Sequence, residues 1–123
     1  MDGRGVPEEI REELSMNKYH NRKSGGFDSQ KEKGRYAELL LMQRAGMISG
    51  LKRQVRFELI PSQPRKGMKP EQAAVYIADF VYYQNGEQIV EDVKGYRKGE
   101  AYRLFVLKRK LMLWVHGIQI KET

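Results

Sequence analysis

The dipeptide Asn85-Gly86 constrains the fold more than any other feature of the sequence. It separates two runs rich in β-branched and aromatic residues, residues 74–83 and 89–94. Asn-Gly between such runs is the strongest short-range indication of a β-hairpin with a two-residue turn. If these two residues form the turn, Gln84 pairs with Glu87, and the register of both strands is fixed.

That register places two acidic residues, Asp79 and Asp92, directly opposite each other. Opposite residues of an antiparallel pair point to the same face, with Cβ atoms ~5 Å apart. Lys94 lies two residues further on and shares the face. The neighbours divide by alternation, with Val75, Ile77, Val81 and Val90 on the face of Asp79 and with Ala78, Phe80 and Glu91 on the opposite face.

Two facing carboxylates on an apolar surface are unfavourable unless they share a proton, bind a cation or are offset by Lys94. Oxygen ligands of this kind suit Mg²⁺ or Mn²⁺, which activate water and stabilise charge on a phosphate. The alternative is a solvated ion pair between Asp92 and Lys94, worth ~0–1 kcal/mol. A bulge in the hairpin would also separate the acids. The pattern alone leaves both interpretations open.

The first helix is predicted to begin after Ser29 and to end at Gly46. Ser29 and Glu32 have the spacing of a capping box, and glycine commonly ends helices. At ~100° per residue, Glu32 lies on the same side as the apolar residues of the helix. Glu32 is therefore either a capping residue or an acid that faces the sheet.

The remaining segments predict an α/β fold with the order helix, strand, hairpin, helix, strand. Residues 55–60 alternate as in a strand, and residues 61–72 form a loop with three prolines. Residues 100–115 have a helical period that ends at Gly117, and residues 118–121 form a last short strand. One arc of the second helix is apolar: Leu104, Phe105, Leu107, Leu111, Met112, Trp114 and Val115.

The charge distribution indicates a polyanionic partner. Lys and Arg number 23 against 16 Asp and Glu, a net charge of +7. Residues 1–16 hold two basic and five acidic residues, so the rest of the chain is more basic still. Nucleic acid is the commonest partner of a small basic domain. We expect a flexible N-terminal arm at 1–26 and a single domain at 27–123.

Several absences narrow the class of protein. The chain has no cysteine, which excludes disulfides and thiolate sites. Its apolar runs fall far short of the ~20 residues that cross a bilayer, and no leader pattern opens it. We therefore expect a cytoplasmic protein without a membrane partner.

Four stretches of the sequence resemble the PD-(D/E)xK nuclease superfamily. Their order and their predicted secondary structure also match, and the resemblance covers roughly residues 17–122. The resemblance is closest to small phage and prophage endonucleases of the Holliday-junction-resolvase type. Ala78 stands where the superfamily's name has proline, a position at which proline is often missing. The matching stretches are Phe27-Asp-Ser-x-x-Glu32, Gln54-x-x-Phe57-x-Leu-Ile-Pro61, Tyr76-Ile-Ala-Asp79-Phe80 and Val90-Glu-Asp-Val-Lys-Gly95.

The resemblance implies a restriction-endonuclease-like αβββαβ core with a mixed sheet flanked by helices. It further implies that Asp79 and Asp92 bind Mg²⁺, for which Mn²⁺ substitutes, with Glu32 as a further ligand. Lys94 would orient or deprotonate the attacking water, and Gln54 matches a glutamine of unassigned role. The implied activity is hydrolysis of DNA phosphodiester bonds by a homodimer, as a Holliday junction resolvase encoded by a phage or prophage in a bacterial host.

Other basic residues are candidates for contacts with the DNA backbone. Lys108 either extends past the sheet edge or contacts a phosphate near the active face. The remaining basic candidates are Lys18, Arg22 and Lys23 in the arm and Arg65, Lys66 and Lys69 in the proline-rich loop. Gln54 is a further candidate for a contact with DNA. Two alternatives remain: a DNA-binding or assembly module without catalysis, and a nuclease that cuts flaps or duplex.

Overall fold

A four-stranded mixed sheet with a helix on each face forms the core of the computed structural model, which describes residues 29–95 and 97–123. The sheet order is β1-β4-β5-β6, with β6 parallel to β5 and the other pairs antiparallel. The predicted α/β fold with an αβββαβ core is confirmed. The elements are α1 (Gln30–Arg44), β1 (Ser49–Ile60), β2 (Gln63–Arg65), β3 (Met68–Glu71), β4 (Ala74–Gln84), β5 (Glu87–Asp92), α2 (Gly99–His116) and β6 (Lys121–Glu122).

The predicted arm at 1–26 and its candidate DNA contacts Lys18, Arg22 and Lys23 lie outside the described residues. Neither α1 nor α2 is long and apolar enough to cross a membrane.

The hairpin has the predicted turn and register. Asn85 and Gly86 have φ angles of 54° and 77°, as a type I′ turn requires, and Gln84 pairs with Glu87. The same register continues without a bulge to the pair Phe80–Glu91. Because β5 ends at Asp92, β1 and the first residues of β4 continue beyond it.

The side-chain alternation of β4 reverses at Asp79, which the sequence did not predict. Phe80 packs with the core on the α1 side, and Val81 packs with the core on the α2 side, as expected. Ala78 has the parity of Phe80 but packs on the α2 side, so its predicted face was wrong. Gln54, which lies opposite Asp79 in the β1–β4 register, has a φ of 52°. The alternation of β1 also changes around Gln54, since Leu51 packs on the α1 side and Val55 on the α2 side. Both strands of the pair therefore reverse at the same level.

Each helix covers one face of the sheet. The Ser29 hydroxyl accepts a hydrogen bond from the Glu32 amide at 3.1 Å, which confirms the predicted N-cap of α1. Leu39 of α1 is fully buried against the sheet. On the other face, Phe105 and Met112 of α2 are buried, while most of the predicted apolar arc is exposed.

A buried carboxylate joins α1, β4, β5 and the residue after β6. Glu91 is fully buried and accepts two hydrogen bonds from Arg35, at 2.6 and 3.0 Å. It also accepts bonds from the Tyr82 and Thr123 hydroxyls, at 2.7 and 3.1 Å. Burial alone would raise the pKa of Glu91, but these donors hold it below its usual range. Glu91 is therefore an ionised structural residue on the α1 face.

The predicted bounds of several segments were wrong, and β1 begins at Ser49 rather than at Val55. The proline-rich segment contains a two-stranded antiparallel ribbon, β2–β3, rather than only a loop. Pro64 and Pro70 are compatible with it because both strands are edges of a two-stranded sheet. The last strand is the short β6, which begins at Lys121, and β5 ends at Asp92 rather than at Lys94.

Candidate functional site

Asp79 and Asp92 come together at the end of β5, where the β4–β5 ladder stops. The last ladder pair is Phe80–Glu91, and beyond it the Asp79 Oδ2 atom accepts a hydrogen bond from the Val93 amide at 2.8 Å. On its other side, Asp92 pairs with Glu122 of β6, and its carbonyl accepts a bond from the Thr123 amide at 3.0 Å. The backbone of both neighbouring strands thus fixes the two carboxylates.

Asp92 is buried and bound through both oxygens. Its Oδ1 atom accepts a hydrogen bond from the Tyr76 hydroxyl at 2.8 Å, and its Oδ2 atom lies 2.5 Å from the Lys94 Nζ atom. The Lys94 ammonium also lies 3.5 Å from the centre of the Phe105 ring, which is a cation–π distance. Lys94 is therefore held over the α2 core instead of extending into solvent.

Tyr76 is a site residue that the sequence reasoning missed. Strict alternation from Asp79 places it on the opposite face, and only the reversal at Asp79 brings it to Asp92. Burial and the nearby Asp92 raise the pKa of the Tyr76 hydroxyl well above its usual value. The hydroxyl therefore remains a hydrogen-bond donor to Asp92 across the physiological pH range.

The carboxylate of Asp79 is strongly perturbed by its surroundings. Burial, together with the charges of Asp92 and Glu32, raises its pKa from 3.8 to about 8. The Val93 amide and Lys94 oppose this rise. Burial and the neighbouring carboxylates thus favour a proton or a cation at Asp79.

Glu32 belongs to the same group of charges. It is buried, and its Oε2 atom accepts a hydrogen bond from the Gln54 side chain at 3.3 Å. Its charge contributes to the raised pKa of Asp79, which places the two carboxylates in one electrostatic group. Gln54, a candidate for a DNA contact in the sequence analysis, donates to this carboxylate. The left-handed φ of Gln54 has no glycine or asparagine to indicate it.

A pocket of about 290 Å³ opens beside Asp92 on the α2 side. Its two cations are those of Lys94 and Lys108. The apolar part of its wall is formed by Tyr76, Leu104 and Phe105. Lys108 thus lies on the wall of the pocket that contains Asp92. An opening with cations beside acidic groups can accept a phosphate group.

The other candidate DNA contacts lie apart from this pocket, on the β2–β3 ribbon. Lys66 and Lys69 are exposed. Arg65 instead donates a hydrogen bond to the Lys69 carbonyl at 2.8 Å and pairs with Glu71. Arg65 thus stabilises the ribbon, whereas Lys66 and Lys69 point their charges to solvent.

The carboxylates of the site determine whether it could hold a divalent metal. Within residues 29–95 and 97–123, no group of three or more His, Cys, Asp or Glu side chains is arranged to hold an ion. Asp79 and Asp92 alone fit the way in which Mg²⁺ is usually bound, by one or two carboxylates with water and substrate phosphate completing its shell. Burial and the charge of Asp92 both raise the pKa of Asp79, and a cation beside the two carboxylates would offset both effects.

Comparison with known proteins places the chain in a family but gives it no function. No curated protein and no solved structure matches it. One family model matches residues 16–119, which is most of the chain and includes Glu32, Asp79, Asp92 and Lys94. The protein therefore belongs to the family described as "Protein of unknown function (DUF1064)".

Proposed function

We propose that this protein is a Mg²⁺-dependent endodeoxyribonuclease of the PD-(D/E)xK type. We further propose that it acts on branched DNA as a Holliday junction resolvase, encoded by a phage or prophage in a bacterial host. The observation that carries the proposal is the pair Asp79–Asp92 with Lys94, at the end of a strand in an αβββαβ core. The superfamily motif requires these three residue types at this place.

The chemistry follows from the groups present. Asp79 and Asp92 would hold the ion, which supplies a water of lowered pKa and neutralises charge on the phosphate. Lys94 lies beside Asp92 and would orient the attacking water or stabilise negative charge on the phosphate oxygens. The water oxygen forms a bond to phosphorus, the ester P–O bond breaks, and the leaving oxygen takes up a proton.

Two neighbours would keep this arrangement in place. Tyr76 donates to the Oδ1 atom of Asp92 and so fixes the carboxylate orientation. Glu32, held by Gln54, belongs to the same group of charges and would contact the ion through water. Lys108, on the wall of the pocket, would contact a phosphate next to the one that is cut.

The test is a gel assay of labelled four-way junction, duplex, flap and single-stranded DNA, in EDTA or Mg²⁺. We expect paired symmetric nicks in the junction with Mg²⁺ alone and no cutting by Asp92→Ala. Cutting of every substrate would support the nuclease and contradict the resolvase. Binding without cutting in either Mg²⁺ or Mn²⁺ would contradict both and leave a DNA-binding module on a nuclease fold.

A further inference from the structure

Helix α2 carries an apolar stripe that faces away from the core. Three large side chains of α2 are more than half exposed: Leu104 by 53%, Leu107 by 54% and Trp114 by 84%. Leu111 lies between Leu107 and Trp114, so that the four residues follow one another at spacings of three, four and three. Val115, which is 44% exposed, borders the stripe. We call these five residues the α2 stripe.

Most of the stripe has no part in holding α2 on the sheet. Phe105 and Met112 are buried in the core and do that, together with Leu111, the one stripe residue that packs against the same core. Trp114 is the only tryptophan of the chain, and it is the most exposed of its large apolar residues within the described ranges. Large apolar residues exposed together in this way mark a contact surface rather than ordinary surface composition.

The area of the α2 stripe matches what one side of a stable dimer needs. With ~150–250 Å² for a fully exposed large side chain, the stripe offers about 500 Å² of apolar surface. A stable homodimer buries about 800 Å² on each copy, of which about 60–65% is apolar. The stripe alone thus provides the apolar centre of such an interface.

We propose that the α2 stripe is the surface through which two copies of this chain associate. The spacing of Leu104, Leu107, Leu111 and Trp114 is that of the a and d positions of a two-helix seam, which a second copy of the same helix complements. Two-fold association of identical surfaces closes on itself and leaves no stripe exposed.

Charge opposes this association and makes it depend on salt. At ~100° per residue, Arg103 and Lys110 lie on one flank of the stripe and Lys108 on the other. Arg103 is paired with Glu100 at 2.9 Å, so the positive charge beside the stripe comes from Lys108 and Lys110. Two copies therefore bring cations together, and their repulsion is screened as the ionic strength rises. We expect the dimer to tighten between about 50 and 300 mM salt. An acidic partner would show the opposite trend.

The position of the stripe also has a consequence for the proposed nuclease activity. This consequence rests on the proposed function, whereas the dimer itself does not. Leu104 belongs to the stripe and also to the wall of the pocket that contains Asp92 and Lys94. Two copies joined through α2 would therefore have both pockets at the borders of a single interface. Two cuts on one branched substrate require such an arrangement.

The test uses Trp114 as its own reporter and does not need DNA cleavage. Sedimentation equilibrium and Trp114 emission are measured from about 0.1 to 100 μM for the full chain, Leu107→Asp and Leu113→Asp. Leu113 is the matched control because it is 57% exposed on the same helix but lines a different groove, with Arg109 and Gln119. Circular dichroism confirms that each variant folds.

We expect the full chain and Leu113→Asp to be dimers at high concentration, with emission that shifts to the red on dilution. Leu107→Asp is expected to remain a monomer with red emission throughout. A monomeric full chain at 100 μM would overturn the proposal and leave the stripe to a different partner. A dimer that Leu107→Asp does not weaken, or that Leu113→Asp weakens equally, would also overturn it.

Discussion

Asp79 lies where burial and two other carboxylates oppose its ionisation. The hydrogen bond from the Val93 amide and the nearby Lys94 only partly compensate, so that its pKa rises to about 8. Such perturbed groups concentrate at functional sites because binding or chemistry, rather than stability, determines their arrangement. Without a cation, the ionised Asp79 is a destabilising residue.

This gives a pH-dependent prediction for Asp79→Asn. The folded pKa is above the unfolded one, so the folded state binds more protons between pH 4 and 8, and its stability falls as pH rises through about 8. The amide oxygen of the substituted side chain still accepts from the Val93 amide, but the side chain carries no charge. At pH 9 in EDTA, we expect the variant to be more stable than the natural chain by roughly 2 to 4 kcal/mol.

Urea unfolding of both proteins at pH 5 and pH 9 is the measurement. At pH 5 the difference between their free energies of unfolding should be smaller by roughly 2 to 4 kcal/mol, because the folded Asp79 is then protonated. A difference that does not grow with pH would show that the Asp79 carboxylate is not perturbed.

At the scale of elements, the Glu91 cluster locks α1 to the sheet. Arg35 follows Glu32 by three residues on α1, and Glu91 immediately precedes Asp92 on β5. The two hydrogen bonds between Arg35 and Glu91 therefore fix the position of one candidate site residue relative to another. Buried pairs of this kind are costly to break because the remaining charge has no partner.

We therefore expect Glu91→Ala to lower the free energy of unfolding by about 3–5 kcal/mol. Glu38→Ala is the matched control, because Glu38 also pairs with Arg35, at 3.3 Å, but its side chain is 67% exposed. That variant should cost only ~0–1 kcal/mol. Equal losses from the two variants in urea unfolding would contradict the structural role of Glu91.

The hairpin turn gives a second prediction at this scale. Gly86 has a φ of 77° and open space around it, so Gly86→Ala should cost about 1–2 kcal/mol through backbone strain alone. Gly34, inside α1, also has open space but no such φ. Gly34→Ala should therefore stabilise the protein by about 0.5–1 kcal/mol. Thermal unfolding of both variants checks this, and the same sign for both would contradict it.

The elements were predictable from sequence where one local residue determines the backbone. Asn85-Gly86 fixes the hairpin register, and Ser29 and Gly117 fix helix ends, because each acts within a few residues of itself. The reversal at Asp79 was not predictable, since a glutamine at position 54 does not indicate a left-handed conformation. Tyr76 was missed for that reason, and the bond between Arg35 and Glu91 was missed because 56 residues separate them.

At the scale of the whole molecule, the basic surface extends beyond the site. Strands β1 and β4 continue past the end of β5 and lead into the β2–β3 ribbon, where Lys66 and Lys69 are exposed. A nucleic acid bound at Asp79 and Asp92 could thus follow these strands to the ribbon. The DNA and the second copy stay predictions, since only the fold and the family are established.

If the ribbon contacts the DNA backbone, the double variant Lys66→Ala, Lys69→Ala weakens binding to all DNA sequences alike. The slope of log K against log salt should become shallower by about 2, one for each lost phosphate contact. Arg44→Ala, at the end of α1 far from Glu32, should leave the slope unchanged. Fluorescence anisotropy in EDTA measures the slope, and an unchanged slope in the double variant would contradict ribbon contacts.

The proposed function depends on Asp79 and Asp92 as a metal-dependent nuclease site. The most direct measurement is the single-turnover cleavage rate of a four-way junction, in Mg²⁺ and in EDTA, for the natural chain, Asp79→Asn and Glu87→Gln. Glu87 is the matched control because it is an exposed acid of the same hairpin, next to its turn. We predict cleavage in Mg²⁺ alone, a loss of about 100-fold or more in Asp79→Asn and no change in Glu87→Gln. Cleavage by a folded Asp79→Asn at the natural rate would contradict the account.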